Sequence, residues 1–349
     1  MVKNKNKQKQ TKYPFISVCT PTFNRRPFIP MMIKCFENQT YPKDKIEWII
    51  IDDGTDKIED LVSHIPQVKY FKFDEKLTLG KKRNIGNEKC IGEIIIYMDD
   101  DDYYPPERFS HAVEMLILNP KALCAGSSEM LIYFKHISKT IKFGPYGDKH
   151  ATAATFAFRK ELLKQTKFDE LSCVAEEKKF LKDYTIPFVQ LESKKSILVF
   201  SHNHNSFDKK ELLKQMPNPH TIETDIKPDD LIKEPDILKF FMEDIDNLLE
   251  SYEPGKIENK PDVQKQLIQI KEKREKMIQD EIDKQNQYNN TLQKLQLLQN
   301  PQEQKDKINS LSNMVQELTL ENNQLKDKVN YLENKLKQII SEKIKERMN

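Results

Sequence analysis

Residues 94–109 read IIIYMDDDDYYPPERF, a stretch that changes abruptly from apolar to acidic side chains. Residues 94–98 are uniformly apolar, which is typical of a strand buried on both faces of a parallel sheet. Four carboxylates, Asp99 to Asp102, follow directly. Adjacent like charges raise one another's pKa, so this run is costly unless a cation lies beside it. Because ligands of open α/β sheets bind beyond the carboxyl ends of the strands, the stretch predicts a binding site there.

Strand-like and helical patterns alternate on both sides of this stretch. The strand-like runs cover residues 15–20, 46–51, 68–73 and 93–98, and the helical patterns cover 26–39, 57–64, 78–90 and 106–118. Such alternation predicts an α/β fold, with a mainly parallel sheet flanked by helices. Right-handed crossovers would bring TPTFNR, DDGT and DDDD, which follow three of the strands, to one edge.

Composition limits the class of protein. The 57 basic and 55 acidic residues give a formal net charge of +2, so no global field favours a nucleic-acid partner. No stretch reaches the ~20 apolar residues that span a bilayer, and residues 1–12 have no signal-peptide pattern. The five cysteines lack CxxC spacing and mostly lie in apolar segments, which favours buried, reduced thiols. We therefore expect a soluble cytoplasmic or other intracellular protein without a membrane span.

Changes in composition predict five segments. We expect a disordered basic tail at 1–12, a globular domain at 13–207, a connector with short helices at 208–260, a helical segment at 261–300 and a coiled coil at 305–347.

Two motifs of the globular domain have more than one interpretation. Haloacid-dehalogenase phosphatases begin with DxDGT after a strand, but residues 51–55 read IDDGT, and Ile51 at the nucleophile position cannot form an aspartyl-phosphate. An Asp-Gly turn is the simpler alternative. GKKRNIG (80–86) lacks the spacing of dinucleotide-binding glycines, so Lys81, Lys82 and Arg83 suit either a diphosphate or a solvated helix face.

The motifs TPTFNR, IIIDDGT, GKKRNIG and YMDDDDYYPPERF, in this order, resemble family 2 glycosyltransferases of the GT-A fold over about residues 13–207. The resemblance implies an enzyme of the hexosyl- or N-acetylhexosaminyl-transferase class that uses a UDP-sugar donor and is usually inverting. It also implies Mn²⁺ or Mg²⁺ beneath the donor diphosphate.

The resemblance assigns roles residue by residue. Thr20 and Pro21 would line the nucleotide pocket, Asp53 would accept a hydrogen bond from uracil with Asp52 alongside, and Arg83 would approach the base or diphosphate. The DXD signature of the family maps onto residues 99–101. Asp101 would be the main metal ligand, with Asp99 as a further one, and Asp99 or Asp100 would contact ribose or metal-bound water. Asp102 is extra, and we expect it to cap the helix that follows PPERF.

An inverting transferase needs a carboxylate base for the acceptor hydroxyl. The family supplies it from an ED pair that opens a helix. FDELSCVAEEKKFL (168–181) offers Glu176 and Glu177 here, with Glu177 where most relatives carry Asp, and Asp169 is a fallback. Favourable placement in a helix's first turn is the alternative role of this pair. Several relatives have a metal-binding histidine that His202 matches, with Asn205 three residues later and His204 as second choice.

From Ile308 onward the apolar residues follow heptads. Isoleucine, valine or leucine occupies position a except at Asn322, and leucine and then isoleucine occupy position d. This pattern favours a parallel two-stranded coiled coil, in which Asn322 fixes the register. We expect a homodimer, with a helix folded onto the catalytic domain as the alternative.

The sequence therefore predicts a metal-dependent glycosyltransferase that moves a sugar from a UDP-sugar to a hydroxyl of a glycan, protein or lipid acceptor. One rival is a nucleotidyltransferase, although TPTFNRRPF lacks the glycine-rich loop it would use. The other is a catalytically dead GT-A scaffold protein organised by its coiled coil, which the glutamate at 177 keeps open.

Overall fold

The structure is a computed structural model that describes residues 13–296 and 301–348. The predicted tail at 1–12 and the end of the helical segment at 297–300 lie outside these residues. The chain divides into two compact units, the first ending at Ile270 and the second starting at Lys271.

The strands lie within the first unit. In chain order they are β1 Ile16–Thr22, β2 Ile46–Asp52, β3 Val68–Lys72, β4 Ile94–Tyr97, β5 Cys124–Gly126, β6 Met130–Phe134, β7 Lys139–Phe143, β8 Ala157–Arg159, β9 Phe188–Gln190, β10 Leu198–Phe200 and β11 Thr221–Thr224.

The α-helices begin between β1 and β2. They are α1 Ile29–Glu37, α2 Glu59–Val62, α3 Leu79–Lys89, α4 Arg108–Leu118, α5 Glu177–Phe180, α6 Pro228–Leu231, α7 Pro235–Lys239, α8 Ile245–Glu250, α9 Pro261–Gln296 and α10 Pro301–Met348. The predicted helix at 57–64 forms only the single turn of α2, because it starts behind the DDGT turn and ends before Pro66.

The described residues form one seven-stranded sheet in the order β3-β2-β1-β4-β8-β5-β9 and one four-stranded sheet in the order β10-β6-β7-β11. Strands β3, β2, β1 and β4 are parallel, whereas β8 runs antiparallel to β4 and β5. Every residue of β1, β2 and β4 is buried, as strands covered on both faces require. The predicted mainly parallel sheet flanked by helices is confirmed.

The core is continuous across the first unit and includes the segment predicted as a connector. Phe36 of α1 stacks on Trp48 of β2, with ring centroids 4.2 Å apart. Phe241 stacks on Phe200 of β10, with centroids 4.5 Å apart. Residues 208–260 do form short helices, and they also bury apolar side chains such as Ile237 and Ile245 in the main core. The compact unit therefore reaches well beyond residue 207.

The five cysteines are free and buried, as predicted. In the part of the chain that the structure describes, no helix has the length and apolar character to cross a membrane.

Candidate active site

A cavity of about 330 Å³ lies at the carboxyl edge of the parallel strands. Its walls come from segments that are far apart in sequence and carry charges of both signs. Charged residues of the wall include Arg25, Lys76, Lys82, Arg83, Asp99, Asp100, Asp101, Asp102, Glu176, Glu177, Lys209, Lys260 and Asp262.

Arginine side chains partly balance the acidic run that follows β4. The Arg25 guanidinium lies 3.5 Å from Asp100 Oδ1 through Nε and 3.0 Å from Asp101 Oδ2 through Nη2. Arg83 Nη1 lies 3.5 Å from Asp99 Oδ1. Asp102 Oδ1 is buried and has no hydrogen-bond partner. The cost of placing four carboxylates together is therefore only partly offset by the protein's own cations.

The aspartates differ in how readily they ionise. Burial, and then the charge of Asp101, raises the pKa of Asp100 to about 7. Burial and Asp101 also raise the pKa of Asp102 well above its usual range. Burial alone would raise the pKa of Asp101 too, but Arg25 and His202 hold it well below its usual range. Asp101 is thus the carboxylate of the run most firmly held in its charged form.

His202 lies against this carboxylate. Its Nε2 is 3.3 Å from Asp101 Oδ2, and its Nδ1 accepts a hydrogen bond from the His204 amide at 3.2 Å. Burial lowers the pKa of His202 to about 4, so the ring is neutral. Besides Asp101, Nε2 faces the Asn205 side-chain nitrogen at 2.7 Å. The Asn205 side chain accepts from the His202 amide at 2.9 Å and fixes the loop.

The two glutamates occupy different environments on the facing wall. Glu176 Oε1 accepts a hydrogen bond from Arg83 Nε at 2.8 Å, whereas Glu177 Oε1 accepts only from the Ala153 amide at 3.2 Å, among the contacts that the structure describes. Burial, and then the charge of Glu176, raises the pKa of Glu177 to about 7. A carboxylate with a pKa near neutrality, beside one held by an arginine, is the arrangement expected of a general base and its supporting partner.

The backbone turns sharply just before this pair. Ala175 has a φ of +55°, in the left-handed region that a residue with a Cβ seldom adopts. Glu177 then begins α5. Strain of this kind is often found where side chains are aimed into functional sites.

Several predicted nucleotide-site residues turn away from the cavity. The Thr20 hydroxyl donates to Met98 O at 2.6 Å and accepts from Trp48 Nε1 at 2.9 Å, within the sheet. The Asp52 carboxylate accepts from the Gly54 amide at 2.8 Å and from the Tyr70 hydroxyl at 2.6 Å, so it stabilises the DDGT turn. Pro21 and Arg83 do line the cavity.

Asp53 is also engaged by the protein. One carboxylate oxygen pairs with the Lys82 ammonium, and the other accepts from the Leu77 amide at 2.6 Å. Lys82 also donates to Thr22 O at 3.0 Å. Lys81, by contrast, is exposed. The structure thus uses Asp53 and Lys82 to join the end of β1, the DDGT turn and α3.

Two further expectations are corrected. Asp102 does not cap the following helix, because α4 begins at Arg108 after Glu107, and no side chain caps it. Asp169 is paired with Lys179 at 2.7 Å on the surface and does not line the cavity. This pairing and the Leu171 amide lower the pKa of Asp169, which is the opposite of what a base requires.

Residues 17–166 match the model of "Glycosyl transferase family 2". These residues form a family 2 glycosyltransferase domain. The match covers the four motifs that carry the resemblance, and together with the sheet described above it confirms the GT-A fold. Glu176, Glu177 and the His202 loop lie beyond the matched residues but contribute to the same site.

Relatives of the glycosyltransferase domain are similar over part of their length. An uncharacterized glycosyltransferase of Haemophilus influenzae is 30% identical over 119 residues, which are 33% of this chain and 47% of the relative. The poly(ribitol-phosphate) beta-N-acetylglucosaminyltransferase TarS of Staphylococcus aureus is 28% identical over 105 residues, which are 29% of this chain and 18% of TarS. The chain thus spans less than half the length of either relative.

Solved structures give similar overlaps. A crystal structure of S. aureus TarS in complex with UDP-GlcNAc has a TM-score of 0.44 at 21% identity and covers 54% of this chain and 58% of that one. The mannosyltransferase PcManGT from Pyrobaculum calidifontis, in complex with GDP-Man and Mn²⁺, has a TM-score of 0.43 at 17% identity, with coverage of 53% and 56%.

Two residues that the sequence does not predict, Arg25 and Lys260, also line the cavity. Arg25 holds the acidic run and donates from Nη1 to His204 O at 2.7 Å. Lys260, 3% exposed, lies outside the predicted domain. Burial, and then Arg25, lowers its pKa to about 7. An arginine in the loop after the first strand could have been suspected from its place on the carboxyl edge, but no local pattern marks Lys260.

Proposed function

We propose that this protein is an inverting, metal-assisted glycosyltransferase that transfers a sugar from a UDP-sugar to an acceptor hydroxyl. The observation that carries the proposal is the pairing, in one cavity, of a half-buried glutamate whose pKa is raised to about 7 with the acidic run that follows β4. The choice of UDP follows the resemblance of TPTFNR and IIIDDGT to the family's nucleotide-binding motifs.

In the proposed reaction, the Glu177 carboxylate takes the proton of the acceptor hydroxyl as its oxygen attacks the anomeric carbon. The bond between that carbon and the donor diphosphate breaks on the opposite side, so the configuration inverts. Arg83 holds Glu176 at 2.8 Å and keeps the charge of this second carboxylate balanced. Glu177 therefore remains the group free to receive the proton.

The acidic run has ligands that suit Mn²⁺ or Mg²⁺. Asp101 Oδ2 and His202 Nε2 lie 3.3 Å apart, and the buried Oδ1 of Asp102 has no hydrogen-bond partner. Residues 13–296 and 301–348 hold no ready-made group of three or more such ligands. Asp101, whose pKa is held well below its usual range, is the main candidate ligand, with Asp99 and His202 as further candidates. A metal bound there would neutralise the leaving diphosphate.

The C-terminal arm supports a second part of the proposal, a parallel homodimer. Helix α10 is continuous from Pro301 to Met348. Its apolar residues at heptad positions a and d are all exposed: Ile308, Leu311, Val315, Leu318, Leu325, Val329, Leu332, Leu336 and Ile339. Such a narrow apolar stripe suits the equivalent helix of a second copy.

A nucleotide-binding panel tests the proposed donor site. We expect UDP in the presence of Mn²⁺ to raise the melting temperature and, as the resemblance implies, to bind more tightly than CDP or GDP. Asp101→Asn should abolish the Mn²⁺-dependent part of UDP binding without unfolding the protein. Lys194→Gln, which removes the charge of an exposed residue that does not line the cavity, is the control.

Binding of UDP that is unaffected by Mn²⁺ and by Asp101→Asn would contradict the metal site. Binding of UDP without transfer to any acceptor would favour the scaffold alternative.

A further inference from the structure

Lys260 brings an amine to the cavity from outside the matched family domain, and burial lowers its pKa to about 7. It immediately precedes α9, and its side chain lines the same wall as Arg25 and the acidic run. It is 3% exposed. Burying an ammonium group removes most of its hydration, which costs several kcal/mol unless other groups replace the water.

The contacts of Lys260 replace that hydration only in part. Its Nζ donates to His204 O at 3.3 Å and lies 3.5 Å from Ser206 Oγ. Among the ion pairs of the described residues, none joins Lys260 to a carboxylate within 4.0 Å, whereas Arg25 and Lys82 each have such a partner. Lys260 thus resembles a cation placed for an anion that arrives with the ligand.

The segment 252–266 holds Lys260 in place by contacts with the donor side of the cavity. The Tyr252 hydroxyl donates to Asp56 Oδ2 at 2.9 Å, just after the DDGT turn. Asn24, in the loop after β1, donates to Pro254 O at 3.0 Å. These contacts fix the start of the segment against two of the family motifs.

The end of the same segment is fixed to the facing wall. Lys76 pairs with Asp262. Gln266 Oε1 accepts from the amides of Cys173 and Val174 at 2.7 and 2.9 Å, next to the glutamate pair. The segment 252–266 therefore spans the cavity from the nucleotide motifs to the loop that presents Glu177.

We propose that Lys260 binds the donor's diphosphate, so that the segment 252–266 completes the donor site. This proposal rests on the proposed function. A diphosphate carries several negative charges and accepts charge-assisted hydrogen bonds, which are stronger than neutral ones. Lys260 should therefore contribute to the binding of nucleoside diphosphates and contribute nothing to that of the nucleoside alone.

Calorimetric titration of the full chain with UDP and with uridine tests this assignment. Lys260→Met keeps the length of the side chain and removes its charge, so UDP affinity should fall by about 10- to 100-fold while uridine affinity is unchanged. Lys260→Arg should retain most of the UDP affinity. The control is Lys256→Met, which removes a lysine of the same segment that pairs with Glu253 on the surface.

The outcomes separate the two proposals. Wild-type UDP affinity in Lys260→Met, or an equal loss of affinity for UDP and uridine, would overturn the role of Lys260 but not the proposed function. A wild-type chain that binds no nucleoside diphosphate would overturn the proposed function as well. Should Lys260→Met fail to fold, a crystal structure of the unaltered chain with UDP decides, because a phosphate oxygen must lie within about 4 Å of Lys260 Nζ.

Discussion

Glu176 and Glu177 are adjacent residues whose surroundings give them different properties. Arg83 Nε pairs with Glu176 at 2.8 Å, while burial, and then the charge of Glu176, raises the pKa of Glu177 to about 7. Replacing Glu177 by glutamine keeps its size and removes its basicity. We expect Glu177→Gln to lower the rate of sugar transfer by about 10²- to 10⁴-fold with little change in UDP affinity. Steady-state rates and calorimetry measure the two quantities.

The pH profile provides the control for this prediction. Glu177 must be deprotonated to act as a base, so the transfer rate should rise with pH through about 7 and then level off. This rise should be absent from the residual rate of Glu177→Gln. Glu170→Gln, at a surface carboxylate 3.0 Å from Lys167, should keep the wild-type profile. A wild-type rate that is independent of pH between about 5 and 9 would exclude Glu177 as the base.

The sequence predicts which residues are candidates for the site more easily than the directions in which their side chains point. The chemistry of the acidic run is visible in the sequence, the family resemblance points to the glutamate pair, and both line the cavity. The resemblance to family 2 glycosyltransferases places Thr20 and Asp52 at the nucleotide pocket, but their side chains turn into the sheet and the DDGT turn. Successive residues of a strand face opposite sides, so one position decides whether a side chain reaches the ligand.

The sequence predicts closely the strands that have a clear hydrophobic period. It does not predict contacts between elements that are far apart in the chain. β1, β2, β3 and β4 lie within a few residues of their predicted positions. The links that complete the cavity join residues far apart in sequence. Arg25 and His204 are 179 positions apart, and Asn24 and Pro254 are 230 apart. No local pattern encodes such pairs, so the contribution of 252–266 could be found only from the three-dimensional structure.

The close packing of segment 252–266 predicts the effect of a single added methyl group. A Cβ on Gly255 would lie 2.6 Å from His204 Nδ1 and 2.8 Å from Asn24 O, so the segment would have to shift. We expect Gly255→Ala to reduce the free energy of unfolding by about 1–3 kcal/mol and to weaken UDP binding. Thermal unfolding and calorimetry measure both effects.

Lys256→Ala, at the next position, is the matched control for Gly255→Ala. Its side chain points to the surface and pairs with Glu253, so neither stability nor UDP affinity should change appreciably. Equal behaviour of the two variants would show that the contacts of Gly255 with Asn24 and His204 are not tight.

At the scale of the whole molecule, the two units differ in where their apolar residues lie. The first unit encloses its apolar residues between the sheets and helices. In the second, α10 exposes an apolar stripe over residues 308–339. A single helix of ordinary sequence is only marginally stable in water, so this stripe needs a partner surface. Regular heptads make this stripe readable from the sequence.

Asn322 distinguishes the possible partners, because an asparagine at position a pairs with its own copy when two chains run parallel and in register. We predict that the full chain is a homodimer and that Leu325→Glu, which places a charge at position d, makes it monomeric without loss of UDP binding. Gln324→Glu adds the same charge at the adjacent exposed position and should leave the dimer intact.

Removal of residues 305–349 should also give a monomer, and Asn322→Val should raise the melting temperature while relaxing the preference for two chains. Light scattering at micromolar concentration measures each state. A monomeric wild-type chain would contradict the homodimer and favour a helix packed on its own domain.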